Sequence, residues 1–236
     1  MESNNPAFRK NTFAFVRDDA SPMTLSGAIN KSGLLFLILM VFAAVGWSLE
    51  SLFIGIAGAI LGLITSLFVI YKPQKAAIGA PLYAAFDGLF IGTISVIAEN
   101  SAPGVAANAM TLTFGIMALM LFSYRMGWLR ATPLFTKAIV FATLGIGVVY
   151  LVNMIMMMFG SSMAMIHEAK PVGIAFSVIV AGVASLNLIL DFDLFERQTA
   201  LGAPKYMEWY CGFSLLVTVV WIYVEMLRLL SKLSRR

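Results

Sequence analysis

Carboxylates carry most of the chemistry open to this chain. Asp87 stands in Tyr-Ala-Ala-Phe-Asp-Gly-Leu-Phe at 83–90, inside an apolar run. Asp191 and Asp193 close another run in Leu-Asp-Phe-Asp-Leu-Phe-Glu-Arg at 190–197. Glu208 follows a short polar break, and Glu225 lies three residues before Arg228 in the last run. Carboxylates placed this way can take up protons or ligate hard cations through oxygen. A charge at bilayer depth costs about 2.5–3.5 kcal/mol on insertion scales, so each needs a partner, a water cavity or a function. Helical geometry sorts them further. Asp191 and Asp193 are about 200° apart around a helix, so one faces a bundle interior and the other the headgroups, with the choice left open. Asp191 lies one turn above Asn187, giving a polar stripe on an apolar helix. Asp193 with Arg197, and Glu225 with Arg228, have the spacing of helical ion pairs. Asp87 has two readings, a hydrogen bond to a neighbouring helix or a place in a polar interior.

Other chemistries find no support. The single cysteine, Cys211, allows no internal disulfide, and the single histidine, His167, no multi-histidine metal site. There is no His-Glu-x-x-His motif, and His167 sits in the polar stretch Met-Ile-His-Glu-Ala-Lys at 165–170. Cys211 is flanked by apolar residues and reads as a small packing residue. Residues 206–231 contain no lysine, which excludes a retinal Schiff base in the last helix, and no phosphate-binding loop is present. The expectation is a chain that is not an enzyme and carries no cofactor. Glu50, Glu99 and Glu168, one in each far-side turn, read as solvated surface charges.

The elements that must position these residues are membrane helices. Of 236 residues, 60% are hydrophobic and 12% charged, half the charge of an ordinary soluble domain. This excludes a disordered chain, a fibrous repeat and a polar cytosolic enzyme. Seven apolar segments lie near 33–47, 52–71, 76–98, 105–124, 134–159, 172–190 and 209–230. The first two are separated by Glu50 alone; together they are too long for one span, so a tight turn is expected there. The reading is an all-α integral membrane protein in one domain: a polar N-tail at 1–31, a seven-helix domain at 32–231 and a basic C-tail at 232–236. Eleven Lys and Arg fall on the side of the N-tail and five on the other, which places the N-terminus in the cytoplasm. The basic C-tail then falls outside, against the trend, and a re-entrant segment is the alternative. Membrane topology, not nucleic acid, explains the net charge of +4. Small residues at four-residue spacing mark packing seams: Ala80, Ala84, Gly88 and Gly92; Gly58 and Gly62; Ser177, Ala181 and Ser185.

Several motifs together carry a resemblance. They are Asn-Pro at 5–6 and Met-Thr at 23–24, Ala-Pro-Leu-Tyr at 80–83 leading to Asp87-Gly88, and Leu-Asp-Phe-Asp at 190–193. Lys-Tyr-Met-Glu-Trp-Tyr at 205–210 follows, running into Trp-Ile-Tyr-Val-Glu-Met-Leu-Arg-Leu-Leu at 221–230. The chain resembles the bacterial branch of the Bax inhibitor-1/YccA family, also called the transmembrane Bax-inhibitor-motif family. The resemblance implies a seven-helix bundle with the last helix central, and a pH-sensitive calcium leak. It implies an aspartate pair, one at the end of the sixth helix and one within the seventh, and a basic latch after the second. Asp193 is the first match for the sixth-helix aspartate and Asp191 the second, either able to hold calcium in passing. Lys72 and Lys75 are the latch candidates. Counting back from Arg228 puts the seventh-helix aspartate near Leu216 or Val217, both apolar, so Glu208 becomes the candidate for the second carboxylate. In this reading the chain is a monomer in the bacterial inner membrane, with the lipid bilayer and calcium ions as partners. Two other roles compete: a regulator that binds a membrane protease through its N-tail, and a proton-coupled transporter using Asp87 and Asp191.

Overall fold

A computed structural model of the chain describes residues 21–234, apart from 162, 164, 165, 167 and 168. Seven helices follow one another: α1 (Leu25–Leu49), α2 (Leu52–Tyr71), α3 (Ala76–Ser101), α4 (Val105–Arg125), α5 (Pro133–Met158), α6 (Pro171–Ala200) and α7 (Met207–Leu233). A 3-10 turn at Pro73–Lys75 joins α2 to α3. All seven are long and apolar enough to cross a membrane. The chain is a multi-pass, all-α membrane protein.

Local chemistry sets the helix ends. Thr24 caps α1, its hydroxyl accepting from the Gly27 N–H at 3.0 Å. The helix therefore starts ahead of the apolar run, and the polar stretch 25–31 is its first two turns instead of tail. Glu50 and Ser51 alone connect α1 to α2, and Glu50 takes the left-handed backbone (φ 47°) that so tight a reversal requires. Glu99 is not simply a solvated charge. Its two oxygens accept the Gly104 and Ala106 N–H groups at 2.6 and 3.0 Å, capping the start of α4. Pro133 and Pro171 occupy first-turn positions of α5 and α6, where the missing N–H is not needed.

The last helix is central. Cys211, Gly212, Phe213, Leu215 and Leu216 are buried in near-unbroken succession, and from there to Arg228 only one stripe of α7, through Ser214, Val217, Trp221, Val224 and Arg228, is half-buried. Helices α1, α3, α4 and α6 pack directly on it. By contrast α2 lies mainly on α3 and α5 mainly on α6. Helix α5 buries only Ile139 and Asn153. The most extensive pairing is α1 with α3, where glycines let the backbones meet. A Cβ at Gly88 would stand 2.5 Å from the Leu39 carbonyl oxygen.

The two ends of α7 lie on opposite faces of the bundle. Its start is tied to the start of α1: the Met23 N–H donates to the Ala203 carbonyl at 2.8 Å, and Pro22 and Pro204 form an isolated antiparallel bridge. Its end is tied to the start of α6 through Lys232. The faces are called proximal and distal below. One continuous helix of 27 residues runs between them, so the end of α7 lies on the face opposite the start of α1. Lys232 and Leu233 belong to that helix rather than to a tail.

Candidate functional site

Asp191 is the carboxylate that faces the interior. It is 5% exposed and points from α6 onto α7, where the Ser214 hydroxyl donates to its Oδ1 at 2.5 Å. Its other oxygen, Oδ2, is buried and makes no hydrogen bond among the described residues, the neighbouring Thr218 hydroxyl donating instead to the Ser214 carbonyl at 3.3 Å. Cys211, Ser214 and Thr218 recur at the three- and four-residue spacing that puts them on one strip of α7. Asp193 faces outward instead. It pairs with Arg197 at 2.6 Å, as the i,i+4 spacing indicates, and lines a polar cavity of about 550 Å³ with Tyr124, Arg125, Arg130 and Glu196. The two aspartates lie on different faces of one helix, as the angle of about 200° between them requires. Among the described residues no group of three or more His, Cys, Asp or Glu side chains could hold a metal.

Ser214, and not Leu216 or Val217, is the α7 residue that meets the carboxylate of Asp191. Glu208 does not take that place. It lies six residues before Ser214, about 9 Å along the helix axis, and its carboxylate accepts the Thr24 N–H at 3.0 Å and the Thr24 hydroxyl at 3.2 Å. A Cβ at Gly27 would fall on this carboxylate, so a larger residue there would have to displace it. Glu208 is thus a buried cap for α1, and Glu208→Ala should lower stability by about 1–2 kcal/mol. Thermal unfolding in detergent checks this, with Glu208→Gln, which keeps an acceptor, losing less than the alanine variant. Lys72 and Lys75 are exposed, and neither forms an ion pair with another described residue.

The remaining interior polar residues separate. Asn187 donates to the Thr143 hydroxyl of α5 and to its own helix at Val183, both at 2.9 Å, so it binds α5 to α6 and does not extend the Asp191 site. Asp87, buried in α3, accepts from the Tyr83 hydroxyl at 3.3 Å. Near the distal face a second ionic centre forms. Glu225, 1% exposed, accepts through Oε2 from both Tyr150 of α5 and Arg228 at 2.8 Å. Arg228 also donates to the Tyr150 hydroxyl and lies over its ring, 5.0 Å from the centroid. One turn on, the buried Lys232 donates to the Gly173 carbonyl at 2.9 Å and to the Ser177 hydroxyl at 2.8 Å. The expected helical ion pair is therefore present, with Glu225 buried and Arg228 partly exposed.

The family model described as Bax inhibitor 1 like matches residues 5–235, nearly the whole chain. The chain belongs to the Bax inhibitor 1-like family. No curated protein matches it. In this Bax inhibitor 1-like chain, residues 1–20, His167 and Glu168 lie outside the described residues, and with them the expected tail contact for a protease. Ser214, Tyr150 and Lys232 were not singled out from the sequence. Glu225, Arg228 and Lys232 do share a helical face by spacing alone, a signal that was available. Nothing in the sequence marked Ser214 or Tyr150.

Proposed function

We propose that this chain is a pH-sensitive cation leak, with calcium as the permeating ion and the gate at Asp191 where α6 meets α7. The observation that carries the reading is the buried Oδ2 of Asp191, which makes no hydrogen bond although its partner oxygen is held by Ser214. A protonated carboxyl can donate from such an oxygen; an ionised one is acceptor-only and attracts a hard cation. One proton therefore changes both the fit of α6 against α7 and the attraction for the ion. Membership of the Bax inhibitor 1-like family supports the same reading. It involves no catalytic residue and no resident cofactor, and a single copy of the chain supplies the path.

The N-terminus is placed in the cytoplasm of a bacterial inner membrane, following the excess of Lys and Arg on the proximal side. The distal basic residues oppose this less than their number implies. Arg228 is paired with Glu225, and Lys232 is buried against α6, so both have an interior role.

Calcium flux into proteoliposomes tests the gate. Wild-type flux should differ between about pH 6 and about pH 8. In Asp191→Asn it should fall about tenfold, as expected for losing one charge–ion contact at the barrier, and become independent of pH. Asp193→Asn should keep the wild-type profile, because that carboxylate is held by Arg197 at the surface. An Asp191→Asn protein with wild-type flux and pH profile would falsify the assignment.

A further inference from the structure

Helix α2 packs on α3 and leaves a gap towards α7 about halfway along its length. The gap is a cavity of about 210 Å³ lined by Gly62 and Ser66 of α2, Tyr83, Asp87 and Phe90 of α3, and Val217 of α7. Leu63, 62% exposed on α2, forms part of its rim. Asp87 is 8% exposed and offers the cavity one free oxygen: Oδ2 accepts from Tyr83, while Oδ1 has no donor among the described residues. That oxygen faces Gly62, where an added Cβ would stand 3.7 Å from it. The ion pairs among the described residues join Asp193 to Arg197 and Glu225 to Arg228, and leave Asp87 without a cation.

We propose that this cavity binds a lipophilic amine, with the ammonium group on Asp87 and the apolar chain leaving between α2 and α7 into the hydrocarbon. Three features select that chemistry. A carboxylate inside the membrane without a basic partner is complementary to a cation. The aromatic residues Tyr83 and Phe90 line the same cavity, and aromatic rings favour organic ammonium groups. The oxygens are too few for a metal, since calcium takes six or more. The Ser66 hydroxyl is already bonded to the Leu63 carbonyl at 2.8 Å, and Tyr83 is bonded to Asp87 itself. The site shares no residue with the Asp191 gate.

The test uses the full chain in nanodiscs and dicyclohexylcarbodiimide, an apolar reagent for carboxyl groups within membranes. The carboxyl adds across one C=N bond, oxygen to carbon and proton to nitrogen, and the acyl group then migrates to nitrogen with no leaving group. Peptide masses should place the label on the segment containing Asp87, and Asp87→Asn should remove it. Saturating N,N-dimethyl-n-octylamine, whose tertiary nitrogen forms no amide with the activated carboxyl, should slow labelling about tenfold, whereas n-octanol at equal membrane concentration should not. Gly62→Val keeps the carboxyl but fills the cavity, and should slow labelling without added amine. Absence of label at Asp87, equal protection by octanol, or no protection by the tertiary amine would each overturn the proposal.

Discussion

Gly92→Val should yield little or no folded protein. A Cβ at Gly92 would fall on the Ala43 carbonyl oxygen and 2.7 Å from the Trp47 nitrogen, both backbone atoms of α1. No side chain can rotate to make room, so the helices must separate along the most extensive seam in the bundle. In lipid no hydrophobic force between helices offsets that loss, because close packing is itself the main attraction. Overpacking a well-packed core costs about 1–3 kcal/mol, and a backbone-to-backbone clash belongs at the top of that range or beyond. For a chain of this size the midpoint of thermal unfolding should drop by about 6 °C or more. Size-exclusion profiles and thermal melts of detergent extracts measure it. Gly182→Val is the control, since a Cβ there meets nothing within 4 Å. Equal losses in the two variants would show that valine itself, not the seam, is the cause.

Arg228→Met is expected to be the most damaging charge change. Glu225 is 1% exposed and Arg228 keeps 31% of its side chain exposed, so removing the arginine leaves a carboxylate buried with only Tyr150 as donor. Removing one partner of a buried pair costs about 3–5 kcal/mol, and the partial exposure of Arg228 favours the lower end. Methionine keeps most of the apolar stem, which isolates the effect of charge from that of packing. The double variant Glu225→Met with Arg228→Met should recover most of the loss, because an apolar pair has no charge to desolvate. Melts of the two single variants and the double variant form the cycle. A single variant as stable as wild type would mean that the pair holds nothing together.

The fold was largely legible because membrane helices announce themselves by continuous apolar runs, and a lone Glu50 between two runs could only be a turn. The seams were partly legible. Gly88 and Gly92 follow the four-residue spacing, but Gly46, whose missing side chain admits the backbone at Leu89, has Phe42 and Glu50 at that spacing and carries no pattern. For the candidate site, helical angle separated Asp191 from Asp193 correctly. It could not say which faced inward, because that depends on the neighbour, and the neighbour is a serine on another helix. Glu208 shows the reverse failure. Its position in the sequence suggested a partner for an aspartate, whereas its contact is with Thr24, 184 residues away. Arg197 and Arg228 were legible as partners because both pairings lie within a single helical turn.

The bond from Met23 to Ala203 and the capping of Thr24 by Glu208 also set an order of events. A chain is made from its N-terminus, so the first helix is synthesised long before the residues that fix its end. The start of α1 can reach its final hydrogen bonding only after the α6–α7 connection has emerged, and α7 must then enter among helices already made. The central helix is thus the last to arrive, and a chain stopped before residue 208 leaves the Thr24 N–H without its carboxylate acceptor.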